Sequence, residues 1–386
     1  MIDFFEFQLR PRVLYKAGLV DDIGPEIANL GAERALIVAD EGVAHAGLLD
    51  RVRAGLERNI MVAGIFTEVP PNSSVAAVER GADYARECST DLIVAVGGGS
   101  PIDTAKAMRI LLTEGGRLHD YEGYNLLTRP LIPMIAIPTT AGTGSEVTAW
   151  AVIRDEVARV KLAFSSIYLA PDLAILDPEL TLSLPPGLTA ATGIDALVHA
   201  IESFVGTIAN PISDSLALQA IDMISNNLRD ATYDGNDIEP RGQMLIASCI
   251  AGMAFSGGGG SLGIVHALAH AIGGAFEIHH GTANAILLPY GMQFNSVAVP
   301  NRFARIARAM GVNSGGRPEE DVIADGIDAV RLLTVDCGLP TRLRDMAVPE
   351  DALPVIAETA LGDAALLTNP RPATYDDVLE IARSAW

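Results

Sequence analysis

The stretch Asp91-Leu92-Ile93-Val94-Ala95-Val96-Gly97-Gly98-Gly99-Ser100-Pro101-Ile102-Asp103-Thr104-Ala105-Lys106 decides the architecture of the first half of the chain. Its unbroken apolar run, with β-branched residues at 93, 94 and 96, reads as a strand buried on both faces. Three glycines then allow a sharp turn, and Ser100, Pro101 and Asp103 stand where an N-cap, a first helical residue and a capping partner belong. A glycine turn opening into a helix presents free backbone N–H groups at the positive end of the helix dipole, a place suited to a pyrophosphate. Asp103 disfavours phosphate at its own position and suits a hydroxyl or amide donor, or simply closes the cap.

Residues 35–39, 60–66 and 133–138 read as further buried strands. The segments LLDRVRAGLERN and SVAAVERGADYAREC read as amphipathic helices between them. Strands alternating with helices indicate a mainly parallel sheet covered on both faces. The first of these strands ends in Asp40-Glu41-Gly42 rather than in G-x-G-x-x-G, so the usual dinucleotide fingerprint is absent. Asp40 is nevertheless placed to accept hydrogen bonds from a ribose. A second loop, Thr139-Thr140-Ala141-Gly142-Thr143-Gly144-Ser145-Glu146, alternates hydroxyls with glycines at a strand end, where it can surround a polar ligand or form a local turn.

After Pro185-Pro186 helical periodicity takes over and no comparable strand follows. The expected organisation is an α/β nucleotide-binding domain over residues 1–183 and an all-helical metal-binding domain over 184–386, with the ligand site in a cleft between them. In the helical half, Asp195 and His199 are spaced to share one helix face in GIDALVHAIESF. His266 and His270 repeat that spacing in GIVHALAHAIGG, and His279 and His280 follow. A carboxylate with several imidazoles suits Fe(II) or Zn(II).

Hydrophobic residues form 49% of the 386-residue chain and charged residues 19%, enough for a large core. Twenty-seven Lys and Arg against 48 Asp and Glu leave a net charge of −21, which opposes binding to nucleic acid or an acidic membrane surface. Mean hydropathy is +0.29, yet charged and Gly or Pro residues break up each apolar run, so no membrane span is expected. The start, MIDFFEFQLRPRVLYKAG, does not read as a signal peptide. Cys88, Cys249 and Cys337 lie far apart in apolar contexts and fit core thiols of a reducing cytoplasm.

The motifs GGGSPIDTAK, IPTTAGTGSEVT, LDPELTLSLPP, TGIDALVHAIES and VHALAH…HHGTANAILLP, taken in order, resemble the iron-dependent (group III) alcohol dehydrogenases over nearly the whole chain. The resemblance implies a dehydroquinate-synthase-like fold and reversible hydride transfer between an alcohol and NAD. Its metal ligands carry over to Asp195, His199, His266 and His280. Its nucleotide contacts carry over to Asp40, Asn72, Gly97, Gly98, Ser100, Asp103, Thr139, Thr140 and Lys161. His270 is expected to act beside the metal, on a ribose hydroxyl or as a proton relay, and His279 in neither role. A homodimer or larger assembly is also implied, and the N-terminal Phe4, Phe5 and Phe7 agree with it.

Three features depart from the family pattern: a segment at residues 256–261 about two residues longer and richer in glycine, His279 where proline is frequent, and Tyr290 where histidine is frequent. Trp150, Phe164 and Phe255 are candidate walls of a substrate pocket. The alternative chemistry of this fold, a dehydroquinate-synthase-type lyase or cyclase, handles a phosphorylated and carboxylated substrate. The absence of Lys and Arg from residues 195–205 and 256–285 favours a neutral alcohol instead.

Overall fold

A computed structural model describes residues 4–158, 160–258, 261–276 and 278–386. Among the described residues nine strands form in chain order: β1 (Arg12–Tyr15), β2 (Arg34–Val38), β3 (Met61–Phe66), β4 (Leu92–Gly97), β5 (Gly123–Tyr124), β6 (Met134–Pro138), β7 (Trp150–Asp155), β8 (Val160–Ser165) and β9 (Leu173–Leu176). Six of them make one sheet in the order β1-β9-β6-β4-β2-β3, with every pairing parallel. The helices between them are α1 (Gly24–Ala28), α2 (Glu41–His45), α3 (Leu48–Leu56), α4 (Val75–Glu87) and α5 (Gly99–Thr113).

Alternation along β4 explains its continuous burial. Ile93 and Ala95 enter an apolar cluster with Val78, Ile102 and Met108, whereas Leu92, Val94 and Val96 enter a second one with Val52 and Leu56. Both faces of the strand are therefore core, as a parallel sheet under two helical layers requires. Register sets Val38 opposite Ala95 and Gly97 opposite Pro138, so the chain leaves β2, β4 and β6 at one edge of the sheet. Asp177, just past β9, is wholly buried and accepts the backbone N–H groups of Gly18, Val20 and Glu179, pinning the segment after β1 to the end of β9.

The second half is helical, with no strand among its described residues. Its helices are α6 (Pro186–Val205), α7 (Pro211–Tyr233), α8 (Ile238–Gly257), α9 (Ile264–Phe276), α10 (His280–Ser296), α11 (Pro300–Ala309), α12 (Glu319–Asp336), α13 (Leu353–Leu361) and α14 (Tyr375–Ala385). Consecutive prolines set the start of α6, and Arg241 of α8 fastens it by donating to Leu184 O and Thr189 Oγ1. By length and mean composition α6 could cross a membrane, although Gly193, Asp195 and Glu202 interrupt its apolar residues as the sequence reading holds. It is a core helix instead, since 89% of its apolar window is buried in protein.

By contact density the chain separates into Gln8–Ser183 and a unit that joins Leu184–Trp386 to the N-terminal residues through Phe7. Of the described residues, 4–7 thus group with the helices rather than with the sheet. Phe7 is what ties them there: its ring occupies the space a side chain at Gly257 would need. Of the glycine-rich segment at 256–261, Gly259 and Gly260 lie outside the described residues.

Candidate functional site

In the helical unit, α6 carries Asp195 and His199 one turn apart, both buried. α9 brings His266 against them, and donor atoms of these three residues lie within 4.8 Å of one another. His280, the first residue of α10, sets Nε2 3.5 Å from Asp195 Oδ1. The rings close up as well: the His199 and His266 centroids are 4.7 Å apart, those of His266 and His280 5.4 Å.

Burial alone would raise the Asp195 carboxyl. The charges of His199, His280 and His266 and a 2.6 Å hydrogen bond from Asn284 Nδ2 outweigh it and hold the group at about 2. Burial, reinforced by His199, pushes His266 well below the usual histidine range, which favours the neutral imidazole that ligates metals. His199 Nδ1 and His266 Nε2 are buried with no hydrogen-bond partner. Unpartnered imidazole nitrogens beside an ionised carboxylate suit a divalent cation, so this donor set fits the metal that the sequence suggests.

Around the donors stand residues that spacing did not single out. Glu202 lies 2.6 Å from His266 Nδ1, and burial pushes its carboxyl up to about 7. Asp363 Oδ2 lies 2.9 Å from His270 Nδ1, and the His270 ring stacks on His280 at 5.3 Å. Glu202 repeats the face of Asp195 and His199 one turn on, a signal visible in the sequence; Asp363, 93 residues from its partner, left none. His279 is an exposed residue whose imidazole pKa burial nevertheless lowers, against the pull of Asp195, and its carbonyl caps α10 by accepting from Thr282 and Ala283 N–H. Phe255 stacks on His199 at 5.3 Å. Phe164 belongs to the sheet's core instead, and Trp150 packs against Tyr124.

In the sheet unit the glycine turn and the hydroxyl loop meet. Thr139 N–H donates to Gly97 O at 3.0 Å, and a Cβ on Gly98 would come within 3.1 Å of Thr140 Oγ1. Gly97 has φ of 146°, and a side chain there would strike Pro101. The helix begins earlier than the sequence suggests: Gly98, not Ser100, is the N-cap, with no side-chain capping bond. Ser100 lies in the first turn, where its hydroxyl accepts Asn72 N–H at 3.2 Å and its carbonyl accepts from Ser73 Oγ at 2.7 Å. The structure therefore gathers Asn72, Gly97, Gly98, Ser100, Thr139 and Thr140.

Asp40 follows β2 at the same edge, where Oδ1 caps α2 by accepting Val43 N–H at 2.8 Å. Asp103 is turned to the protein, accepting from Ser145 Oγ at 2.5 Å and from Val152 N–H at 3.0 Å. Lys161 lies exposed on β8, opposite Arg154 of β7. Beneath these loops Lys106 is fully buried and donates to Ser145 Oγ, Thr148 Oγ1 and Trp150 O at 2.7–3.0 Å. Burial, against the pull of Asp103 and Glu146, brings its ammonium down to about 8.

The fold and the donor set define a class: a parallel-sheet α/β unit with a glycine turn, paired with a helical unit that holds one aspartate among histidines. The family model described as "Iron-containing alcohol dehydrogenase" matches residues 11–178, and "Fe-containing alcohol dehydrogenase family, C-terminal" matches residues 189–386. The chain belongs to the iron-containing alcohol dehydrogenase family. It is 41% identical over 366 residues to the 1,3-propanediol dehydrogenase of Citrobacter freundii, covering 94% of each chain. It is 37% identical over 385 residues to the NAD-dependent methanol dehydrogenase of Bacillus methanolicus, covering 100% of each. A solved 1,3-propanediol oxidoreductase superposes with a TM-score of 0.96 at 40% identity, over 99% of this chain and 100% of the other.

Glu146, in the hydroxyl loop, makes stability depend on pH. Burial raises its carboxyl to about 7, against its backbone hydrogen bond and the nearby Lys106 charge. A folded-state value above the unfolded one contributes stability that is full below the ordinary glutamate range and is lost as pH rises through the folded value. Between about pH 5 and about pH 8 the wild-type melting temperature should therefore fall relative to that of Glu146→Gln. A difference that stays constant across that range in parallel thermal melts would count against the assignment.

Proposed function

We propose that the protein is a metal- and NAD-dependent oxidoreductase that interconverts a small alcohol or diol and the corresponding aldehyde or ketone. The observation that carries this reading is the buried donor set, with unpartnered imidazole nitrogens on His199 and His266 beside ionised Asp195. Asp195, His199, His266 and His280 would hold iron(II), or zinc(II) in its place. Held there, the ion supplies Lewis acidity toward the substrate oxygen, while NAD accepts the hydride. The relatives named for 1,3-propanediol and methanol support a short, uncharged substrate.

The chain's own residues supply position and a proton path. Asp363 orients His270 through Nδ1, which leaves Nε2 as the nitrogen able to take the alcohol proton or bond a ribose hydroxyl. The glycine turn at Gly97 and Gly98, with Asn72, Ser100, Asp103, Thr139, Thr140 and Lys161, forms the nucleotide site, its pyrophosphate facing the N-terminus of α5. Hydrogen bonds join Asn72 to Ser100 and Gly97 to Thr139, and Gly98 lies against Thr140, whereas Asp103 and Lys161 enter from the family resemblance. Asp40 accepts the ribose hydroxyls. Cysteines held as thiols rather than disulfides suit a cytoplasmic location, and Phe4, 83% exposed, with Phe5 beside it suits burial in a homodimer or larger assembly.

Iron-reconstituted protein, handled anaerobically, should reduce NAD with short alcohols or diols; turnover of a phosphorylated, carboxylated sugar alone would overturn the reading. Metal analysis of single variants tests the ligands. His266→Ala and His280→Ala should lose metal, His279→Ala should behave as wild type, and His270→Ala should keep metal with kcat reduced about 100-fold or more. Full occupancy in His280→Ala together with loss in His279→Ala would reverse the assignment of that pair. Asp40 should impose a preference for NAD over NADP, because its carboxylate repels a 2′-phosphate. Asp40→Ser keeps a capping oxygen for α2, so it should relax that preference without loss of stability; a wild-type kcat/KM higher with NADP would refute the role. Light scattering should give at least a dimer at micromolar concentration, and a stable monomer would remove the assembly from the reading.

A further inference from the structure

We propose that Glu202 is the positioning residue of the metal centre, fixing His266 as the Nδ1–H tautomer and anchoring the start of α9 so that Nε2 is the donor. The inference rests on the reading of His266 as a metal ligand.

Glu202 is 2% exposed and follows Asp195 and His199 along the same face of α6. One oxygen, Oε1, accepts the N–H of Val265 at 2.8 Å. The other, Oε2, accepts the N–H of Gly263 at 2.8 Å and lies 2.6 Å from His266 Nδ1. Each oxygen already accepts a backbone N–H, so the geometry favours the ionised, acceptor-only carboxylate, and the proton of that third bond belongs to Nδ1. In a neutral imidazole the lone pair then sits on Nε2, the buried nitrogen without a partner.

The same carboxylate holds the helix that carries His266. Gly263 and Val265 flank the first residue of α9, and their N–H groups would otherwise be unsatisfied helix-start donors. Asn369 Oδ1 takes the N–H of Ile264 between them at 3.1 Å. A negative charge at this end also favours the helix dipole. The approach is close enough that a Cβ at Gly263 would lie 2.8 Å from Glu202 Oε1. The helix start and the imidazole's tautomer therefore share one acceptor, and neither can shift without the other. Carboxylates behind metal-bound histidines also raise ligand basicity, and their loss costs about 10–100-fold in metal affinity.

The test reads tautomer and affinity separately from activity. In metal-free wild type, nitrogen-15 NMR of labelled histidines should show His266 protonated at Nδ1; protonation at Nε2 would overturn the inference whatever the variants do. Glu202→Gln removes the charge and offers one acceptor oxygen in place of two. By chelator competition it should bind zinc about 10–100-fold more weakly than wild type, with its circular dichroism retained. Glu202→Asp should recover part of that loss by restoring the charge. Folded Glu202→Gln with wild-type zinc affinity would overturn the positioning role. Wild-type protein that binds no zinc would instead overturn the metal reading beneath it.

Discussion

A carboxylate on a helix sealed in apolar surroundings has to be matched by partners from elsewhere, and the helical unit is arranged around that need. Asp195 sits among Ile194, Ala196, Leu197 and Val198, all buried. An isolated charge in such a place costs several kcal/mol. The offset comes from other elements: His266 on α9, His280 and Asn284 on α10, and His199 one turn along α6 itself. Rotation of α9 or α10 about its own axis would withdraw a partner, so packing around α6 is fixed by electrostatics as well as by shape. The same requirement explains why a helix apolar enough to span a bilayer is instead the centre of a packed unit.

The sheet unit solves a different problem with the backbone. Parallel pairing delivers Asp40, the glycine turn and Thr139-Thr140 to one edge. What holds the loops there is a buried polar set rather than an apolar one. Lys106 donates to both hydroxyls and a carbonyl of the segment after β6, and Asp103 accepts a hydroxyl and a strand N–H from the same region. Each donor is spent on the protein itself, which makes the cluster a rigid support beneath the turn. Asp103, which the family resemblance places at the nucleotide, has both oxygens engaged in this support.

Much of this was legible in the sequence because burial on both faces leaves an unmistakable apolar run, as in 92–97. The β7–β8 hairpin was not. Its strands alternate buried and exposed residues and include Arg154, Asp155 and Lys161, so they lack that signature. The α5 cap was misplaced for a local reason: Ser100 has the right residue type, but Gly97 at positive φ turns the chain early enough for Gly98 to cap. Helical spacing exposed Asp195, His199, His266 and His270, since those pairs sit within one turn. Glu202 lies on the periodic face of Asp195 and His199, but its pairing with His266 and that of His270 with Asp363 span 64 and 93 residues and leave no local signal.

Charge distribution links the two units' chemistry without reference to any single contact. The chain carries a net charge of −21, and residues 195–205 and 256–285 contain no Lys or Arg. A phosphorylated or carboxylated substrate brought to the histidines would find no Lys or Arg on the segments that carry them. A neutral alcohol meets no such opposition, and its oxygen needs only the one cation. The pyrophosphate of a dinucleotide is the single strongly anionic group the reaction requires. It is assigned to the turn before α5, where backbone N–H groups at a helix start bind an anion with no side-chain charge. An acidic protein can thus accept an anionic cofactor through its backbone while reserving its buried carboxylate for a metal.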